Sequence, residues 1–379
     1  MKYSLMAALA AVLIVAAGWG AVWLGGTADG ARWLMAAVSR HTPLAISART
    51  IEGRLFGDLR LRGVRLALTP VEADIESLRF RWQPLRLFTG SIAARELTLT
   101  GVAIRDNSPG GKPPDLTWPR VSGIAGLFAA EIGRLEVNGL TYRLPDGGEV
   151  SLRNISSSVV WSKAFLSLPD LVIVAPSGRV AGSIAAGFLQ PLLRYDLVLT
   201  PAAPLAGLDA FTLQARLSPG TGTEQLAGGI SATGASGTVK RWELAGEAGI
   251  TPRAFNLRRL RLTRPGRRGL VSGEGTVTPT AGEPLLALQV KAADLDLAPD
   301  TKVAADLSGT LTLAGTPGRY RGEFAIDTRG KGWRTSRLAG AYEGGGQGVN
   351  LALVTGALLG GTLQGNLNIR WHEEVLCSS

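Results

Sequence analysis

The chain holds almost none of the residues from which metal centres and nucleophilic sites are built. Its 379 residues include one cysteine and two histidines. A single cysteine cannot form an intrachain disulfide, and a zinc site made of cysteine and histidine would need more of them. His41 and His372 stand at opposite ends of the chain, and neither has a metal-ligating or nucleophile motif around it. The composition therefore predicts neither a metal site nor a cofactor.

The acidic residues show no paired acid–base arrangement. Asp58, Glu72 and Asp74 lie in turn or strand-edge contexts without a partner visible in the sequence. No glycine-rich segment follows a strand in the G-x-G-x-x-G or G-x-x-x-x-G-K-S/T arrangement that holds nucleotide phosphates. We therefore expect that the protein is not an enzyme.

The basic residues are in excess, with a formal net charge of +10 and an isoelectric point of about 10.2. Most of them, such as Arg60 and Arg62, are the polar partners of alternating apolar residues. The one dense cluster has little aromatic interleaving beyond Phe255, so bases would find no stacking platform. We expect a solvated strand face and turn, with anionic lipid head groups or lipopolysaccharide as an alternative use and no nucleic acid as partner. The cluster consists of Arg253, Arg258, Arg259, Arg261, Arg264, Arg267 and Arg268.

One long apolar segment lies at the amino terminus. Residues 5–24 contain no charged side chain, and twenty helical residues rise about 30 Å, enough to cross a bilayer core. Lys2 precedes the segment, which favours a cytoplasmic amino terminus. We predict a retained anchor rather than a signal peptide cleaved near residues 26–28, because the apolar core of a signal peptide is usually shorter. Its membrane-contacting residues are Leu5, Leu9, Leu13, Ile14, Trp19 and Trp23.

The anchor sets the domain organisation. Residues 1–25 are predicted to form a transmembrane signal anchor and residues 26–42 a juxtamembrane helix and linker, with the helix over residues 29–39. Residues 43–370 are predicted to form repeated β-strands on the far side of the membrane. Residues 371–379 abandon the strand pattern abruptly, which is typical of a truncated chain.

Three segments of the β region share one pattern. They begin at residues 59, 97 and 135, a constant spacing of 38 residues. Equal spacing of this kind indicates a repeating β architecture. Within each segment the apolar residues alternate up to a glycine and then resume one position out of phase.

The glycine at each phase change predicts a β-bulge. In a bulge, one extra residue keeps both halves of a long strand facing the same side. The predicted bulge glycines are Gly63, Gly101 and Gly139. The residues predicted to share one apolar face are Leu59, Leu61, Val64, Leu66, Leu97, Leu99, Val102, Ile104, Leu135, Val137, Leu140 and Tyr142.

The rest of the chain reads as short alternating strands separated by glycine, proline and asparagine, so the predicted fold class is mostly β. Loops are predicted at residues 107–115, 228–237 and 344–348. Strands that are apolar on one side must bury that side. The pattern leaves three solutions open: a closed barrel, a sandwich, or a curved trough with an apolar inner face.

Several segments of the chain resemble a known protein family. The anchor, the helix at residues 30–39, the blocks 51–66 and 85–102, and residues 151–161 resemble the N-terminal portion of the TamB family. These are translocation and assembly module subunits, which belong to the AsmA-like, bridge-like lipid transfer proteins. The resemblance is best over residues 1–165. It implies a transmembrane helix followed by an elongated, curved β-sheet groove, called a β-taco, built from repeated strands.

The resemblance also implies a function. It implies a single-pass protein of the inner membrane of a Gram-negative envelope, with residues 43–370 in the periplasm. Its apolar groove would contact phospholipid acyl chains and conduct phospholipid toward the outer membrane, support outer-membrane protein assembly, or do both. A further implied partner is TamA, an outer-membrane barrel of the Omp85 type. Family members are much longer, and the C-terminal domain that meets the barrel has no counterpart here, so the TamA contact is the least supported implication.

Other functions are compatible with the same residues. The chain could act as a membrane-tethered scaffold or chaperone that binds client strands by β-augmentation. After cleavage it could be a secreted β-solenoid adhesin. The abrupt tail fits a non-functional fragment of a longer protein. Alternation alone does not distinguish an open groove from the filled core of a sandwich.

Overall fold

The computed structural model describes most of the chain from residue 45 onward. The predicted anchor and the tail of residues 371–379 lie outside the described residues. Within the described residues, no helix has both the length and the apolar character needed to cross a membrane. The described residues are 29–30, 32–33, 40, 45–54, 57–83, 86, 90–108, 115–119, 129–145, 147–205, 207–237, 239–296, 304–330, 335–358 and 361–370.

Part of the predicted juxtamembrane helix is described. Asp29, Gly30, Arg32 and Trp33 have helical backbone. The guanidinium of Arg32 lies 2.6 Å from the carboxylate of Asp29, one helical turn earlier. Such an exposed pair contributes little to stability.

The strands confirm a mostly β fold and fall into two units. The first unit comprises residues 1–110 and 120–189. Each of its strands pairs with the next in chain order, and every pair is antiparallel except β4–β5, which is parallel. A parallel pair needs a long connection, and residues 107–128 supply it. The strands are β1 (Ala45–Gly53), β2 (Asp58–Leu68), β3 (Val71–Trp82), β4 (Ser91–Asp106), β5 (Ala129–Arg143), β6 (Glu149–Ser162), β7 (Phe165–Ala175) and β8 (Gly178–Gly187).

The spacing of 38 residues follows from the register in which the strands of this sheet pair. Leu97 in β4 lies opposite Leu135 in the parallel strand β5. The first two segments lie on either side of β3, where Phe80 pairs with both Leu59 and Leu97. Equivalent residues of the three segments therefore stand at the same level of the sheet, in rows that cross the strands.

The glycines at the phase changes have the conformation that the pattern predicts but a different role in pairing. Gly63, Gly101 and Gly139 have φ of 59°, 63° and 68°, the left-handed region that only glycine adopts without strain. The register is nevertheless the same on both sides of each glycine. No strand gains an unmatched residue at these glycines, so the prediction of a bulge in the two-against-one sense is wrong.

The physical reason is that neighbouring strands make the same step at the same level. Each of the six strands β1–β6 has two successive residues on the polar side between its apolar residues. In β3 these are Glu76 and Ser77, between Ile75 and Leu78. Because all six strands shift phase together, the pairing continues without an offset. From β1 to β6, the two successive polar-side residues of each strand are Arg49–Thr50, Arg62–Gly63, Glu76–Ser77, Thr100–Gly101, Asn138–Gly139 and Arg153–Asn154.

The second unit comprises residues 111–119 and 190–379. Its strands pair in chain order, and every pair is antiparallel. Left-handed backbone at Arg259 and Asp294 coincides with register shifts, so true bulges occur here. The strands are β9 (Leu192–Pro201), β10 (Ala210–Pro219), β11 (Leu226–Ser236), β12 (Val239–Ile250), β13 (Phe255–Thr263), β14 (Leu270–Thr278), β15 (Leu285–Asp296), β16 (Ala305–Thr316), β17 (Arg319–Gly330), β18 (Ser336–Gly345), β19 (Gly348–Leu358) and β20 (Gly361–Arg370).

Two predicted loops have different outcomes. Residues 228–237 were expected to form a loop, but β11 runs through most of them. Their glycines allow close approach of neighbouring strands, since a Cβ on Gly228 would lie 2.1 Å from the carbonyl oxygen of Arg216. Residues 344–348 do contain a turn, between β18 and β19. Glycine content alone therefore does not separate a strand from a loop in this chain.

We predict that Gly101→Ala destabilises the first unit more than Gly139→Ala. Both substitutions place alanine in the left-handed region, at a cost of about 1–2 kcal/mol. At Gly101 the new Cβ would also lie 2.8 Å from the Cβ of Glu76, whereas nothing lies within 4 Å at Gly139. Urea unfolding measures the change in the free energy of unfolding. Gly57→Ala, without positive φ or a close contact, is the control. Equal costs for Gly101→Ala and Gly139→Ala would contradict the prediction.

Candidate functional site

The candidate site is the apolar face of β1–β6, defined by one hydrophobic cluster. Its six buried members come from β2, β3, β4 and β5, and the partly buried members add β1 and β6. The cluster extends across the phase change, because Val64 and Leu61 lie on the same side with Arg62 and Gly63 between them. The buried members are Leu59, Leu61, Val64, Ile75, Val102 and Val137, and the partly buried ones are Ala48, Ile51, Leu66, Leu78, Phe80, Leu99, Ile104, Leu135, Leu140 and Ile155.

The structure brings together most of the residues that the repeat assigned to one face. Of the twelve, all but Leu97 and Tyr142 belong to the cluster. Leu97 stands in the row of Phe80 and Leu135. Tyr142 lies opposite Ile104, and its hydroxyl donates a hydrogen bond of 3.0 Å to the Asp106 carboxylate. This hydrogen bond raises the pKa of Tyr142.

Sequence reasoning missed the contributions of β1, β3 and β6. These strands lack the glycine that marked the other three. Their apolar residues nevertheless show the same jump of three positions, for example from Ile75 to Leu78. A search for an alternating apolar pair followed three positions later by a further apolar residue, with or without glycine, would have found these strands. The cluster members that they contribute are Ala48, Ile51, Ile75, Leu78, Phe80 and Ile155.

The apolar face retains accessible apolar surface. Val64 is only 2% exposed, whereas ten of the sixteen cluster members are partly buried. Among the described residues, all side chains packed in the cluster come from the six neighbouring strands of this one sheet. Each of these strands supplies one side of the sheet, so the members contact each other laterally along the rows. The face can therefore still bury apolar surface against a ligand.

The opposite face carries charges that are paired across strands. The carboxylate of Asp58 accepts two hydrogen bonds from Arg79, of 3.1 and 2.7 Å. Arg60 and Arg81 also lie within 4 Å of it. The Arg79 guanidinium lowers the pKa of Asp58 to about 2 from its ordinary 3.8. Asp74 pairs with Arg65 at 2.9 Å.

These contacts involve two of the three acidic residues that the sequence analysis considered for acid–base catalysis. Asp58 and Asp74 both lie within strands and are engaged by arginines. Among the residues that the structure describes, no group of three or more histidine, cysteine, aspartate or glutamate side chains is placed to hold a metal ion. His41, His372 and the predicted anchor residues Leu5, Leu9, Leu13, Ile14, Trp19 and Trp23 lie outside the described residues.

The second unit has its own apolar cluster, which is covered. Trp118, in residues 115–119, packs against the apolar side chains of β9–β13. Its backbone N–H donates to the Gln225 side-chain oxygen at 2.6 Å, and that of Leu116 to the Pro252 carbonyl at 3.0 Å. Leu226 is fully buried in this cluster. The cluster in the second unit therefore has a tryptophan from outside its strands packed on it.

The arginine-rich cluster of the sequence lies in the second unit, on β13 and in the turns before and after it. Arg258 forms a two-pronged ion pair with Glu224, at 2.7 and 2.9 Å. These hydrogen bonds lower the pKa of Glu224. The guanidinium of Arg264 lies 4.4 Å from the ring centre of Trp242. Much of the cluster is thus engaged in contacts within the unit.

We predict that Asp58→Asn removes an acid-sensitive contribution to stability. The pKa of Asp58 is lower in the folded than in the unfolded chain, so the carboxylate stabilises the fold above its ordinary pKa of 3.8 and loses this effect as the pH falls toward 2. At neutral pH the variant should lose on the order of 1 kcal/mol, after allowance for solvent screening. Urea unfolding from pH 7 to pH 2 should show the difference from wild type shrinking. Glu131→Gln, on an exposed position of β5, is the control, and a difference independent of pH would contradict the prediction.

Comparison with known proteins adds no relative. No family model matches the chain, and no characterised protein and no solved structure is similar to it.

Proposed function

We propose that the apolar face of β1–β6 binds the acyl chains of phospholipids. In this proposal the protein is anchored in the inner membrane by residues 1–25, and its β region in the periplasm conducts phospholipid toward the outer membrane and supports outer-membrane protein assembly. The observation that carries the proposal is an apolar face that is continuous across six strands and only partly buried. The resemblance to the TamB family supports the location and the direction of transport.

The dimensions of the face suit an acyl chain. Six strands at a spacing of about 4.8 Å place the first and last about 24 Å apart. An acyl chain fills one leaflet of the bilayer core, about 15 Å. Each methylene group that leaves water contributes about 0.8 kcal/mol. Chains lying along the rows would thus be stabilised over their whole length by side chains such as Leu99 and Leu135.

The change of phase that β1–β6 make at the same level serves this function directly. If one strand alone shifted phase, its apolar side chains beyond the shift would point to the polar face. The rows would then be interrupted by side chains such as Arg62 and Glu76. Because all six strands step together, an acyl chain could cross from one row to the next without meeting a charge.

We predict that a photo-crosslinking amino acid at Leu99 captures phospholipid. Leu99 is a partly buried member of the cluster. The probe would therefore contact a bound acyl chain, and mass spectrometry after irradiation of cells should find lipid attached to the protein. The matched control is Thr98, whose side chain lies on the other face and donates to Glu96 at 3.2 Å. Equal labelling at Leu99 and Thr98, or none at Leu99, would overturn the proposal.

A second candidate function, the binding of client strands, is favoured by β20. In the described part of the chain, this strand pairs only with β19. All its residues are exposed, including Leu363, Leu367 and Ile369 at 43%, 52% and 44%. An exposed apolar edge strand is a template for strand addition.

We predict for this second function that Leu367→Lys lowers the retention of a urea-unfolded outer-membrane barrel protein on the immobilised chain. A lysine on an edge strand disfavours strand addition. The variant should leave lipid capture at Leu99 unchanged. Val239→Lys, at a similarly exposed apolar residue in β12, is the control. If both lysine variants retain the client equally, β20 does not bind it.

A further inference from the structure

An open recess lies at one end of the sheet of the first unit. It forms where β2 begins, β3 ends and β4 begins, and its volume is about 760 Å³. Two backbone hydrogen bonds hold its walls: the Trp82 N–H donates to Gly57 at 3.3 Å, and the Gln83 N–H donates to Ala93 at 2.8 Å. The recess has the size of a small-molecule site.

A register shift directs an arginine into this recess. Arg81 pairs with Glu96 and Trp82 pairs with Ala94, which leaves Arg95 as an extra residue in β4. Arg95 lines the recess, is exposed, and forms no ion pair with any described residue. The offset at this end of β4 thus presents a cationic side chain that the sheet itself does not use.

The surroundings of the recess carry excess positive charge. Arg81 and Arg86 line it together with Arg95, and Arg60 and Arg79 surround Asp58 at its edge. The carboxylates found beside these arginines among the described residues are those of Asp58 and Glu96, and both are already held by arginines. Such a site favours an anion. The planar guanidinium donates two parallel hydrogen bonds, which match the oxygens of a phosphate group.

Of the residues that line the recess, Asp58 and Arg81 belong to the charged face, whereas Trp82 lies beside the apolar face. Phe80 belongs to the cluster, and the ring of Trp82 lies 6.4 Å from the ring of Phe80, centre to centre. Tryptophan combines an apolar ring with a polar N–H and is typical of boundaries between apolar and wet surroundings. Trp82 therefore stands between the apolar rows and the arginines.

We propose that this recess binds the phosphate of a phosphate ester, with Arg86 and Arg95 as its main ligands. A phospholipid whose acyl chains lie on the apolar face would place its head group here. That identification of the ester rests on the proposed function, whereas the anion site itself does not.

The first test is calorimetric titration of the full chain in non-ionic detergent with glycerol 3-phosphate. We predict binding to wild type, and a loss of about tenfold or more in affinity for the double variant Arg86→Gln/Arg95→Gln, because hydrogen bonds to charged groups are strong. Arg153→Gln, at an exposed arginine of β6 without an ion pair in the described part of the chain, should bind as wild type does. Failure of wild type to bind, or equal binding by the double variant, would overturn the proposal.

The second test distinguishes a lipid head group from a free phosphate ester. Dioctanoyl phosphatidic acid and dioctanoylglycerol share their acyl chains and differ in the phosphate. Phosphatidic acid that binds more tightly than glycerol 3-phosphate, and loses that affinity in the double variant, supports a lipid head group. Equal affinity of phosphatidic acid and glycerol 3-phosphate supports a free ester in the same recess.

The two proposals can fail independently. If Leu99 captures phospholipid equally in wild type and the double variant, and neither protein binds glycerol 3-phosphate, the recess proposal fails and the acyl-chain proposal stands. If Leu99 captures no lipid but glycerol 3-phosphate binds to wild type alone, the acyl-chain proposal fails and the recess remains a phosphate-ester site.

Discussion

The first unit depends on one geometric constraint: side chains alternate along a strand, so every strand of a one-sided sheet must change phase at the same level or not at all. β1–β6 satisfy it with a step of two polar residues per strand, and the hydrophobic cluster runs through that step without interruption. Three of the strands use a glycine with positive φ for this purpose. A single strand out of phase would place its leucines in water and its arginines among apolar side chains, a much larger cost than any one ion pair of the polar face could offset.

The polar face follows from the same constraint. Residues between the apolar positions must point to the other side, and in this chain many of them are arginine. Cross-strand neighbours then decide whether these charges repel or attract, and Asp58 and Asp74 are placed opposite or diagonal to several arginines. Carboxylates are fewer than arginines, and Asp58 and Asp74 each lie within 4 Å of more than one arginine. The surplus cations become available where pairing is offset, as at Arg95.

Much of the first unit could be predicted from the sequence, because its signals are periodic. The alternation in residues 59–66, the phase change at Gly63 and the spacing of 38 residues identified strands, face and register level. The pairing order could not be predicted in the same way: an equal spacing fits a parallel neighbour, as Leu97 and Leu135 are, or a next-but-one strand, as Leu59 and Leu97 are. The recess could not be predicted from the sequence either, because it arises from an offset of one residue between Trp82 and Ala94. No local sequence pattern indicates such an offset.

Strands with alternating apolar residues can form either an open apolar face or a filled core. In this chain the apolar clusters of the two units differ in whether a side chain from outside their strands covers them. In the second unit, Trp118 lies on the apolar rows of β9–β13, and Leu226 beneath it is fully buried. In the first unit, every described side chain of the cluster belongs to the six strands themselves. As in the second unit, most members of the cluster keep part of their surface accessible. The free energy of burying that remaining apolar surface is thus still available to a ligand. The difference in cover, rather than the apolar pattern that both units share, makes β1–β6 the better candidate for binding acyl chains.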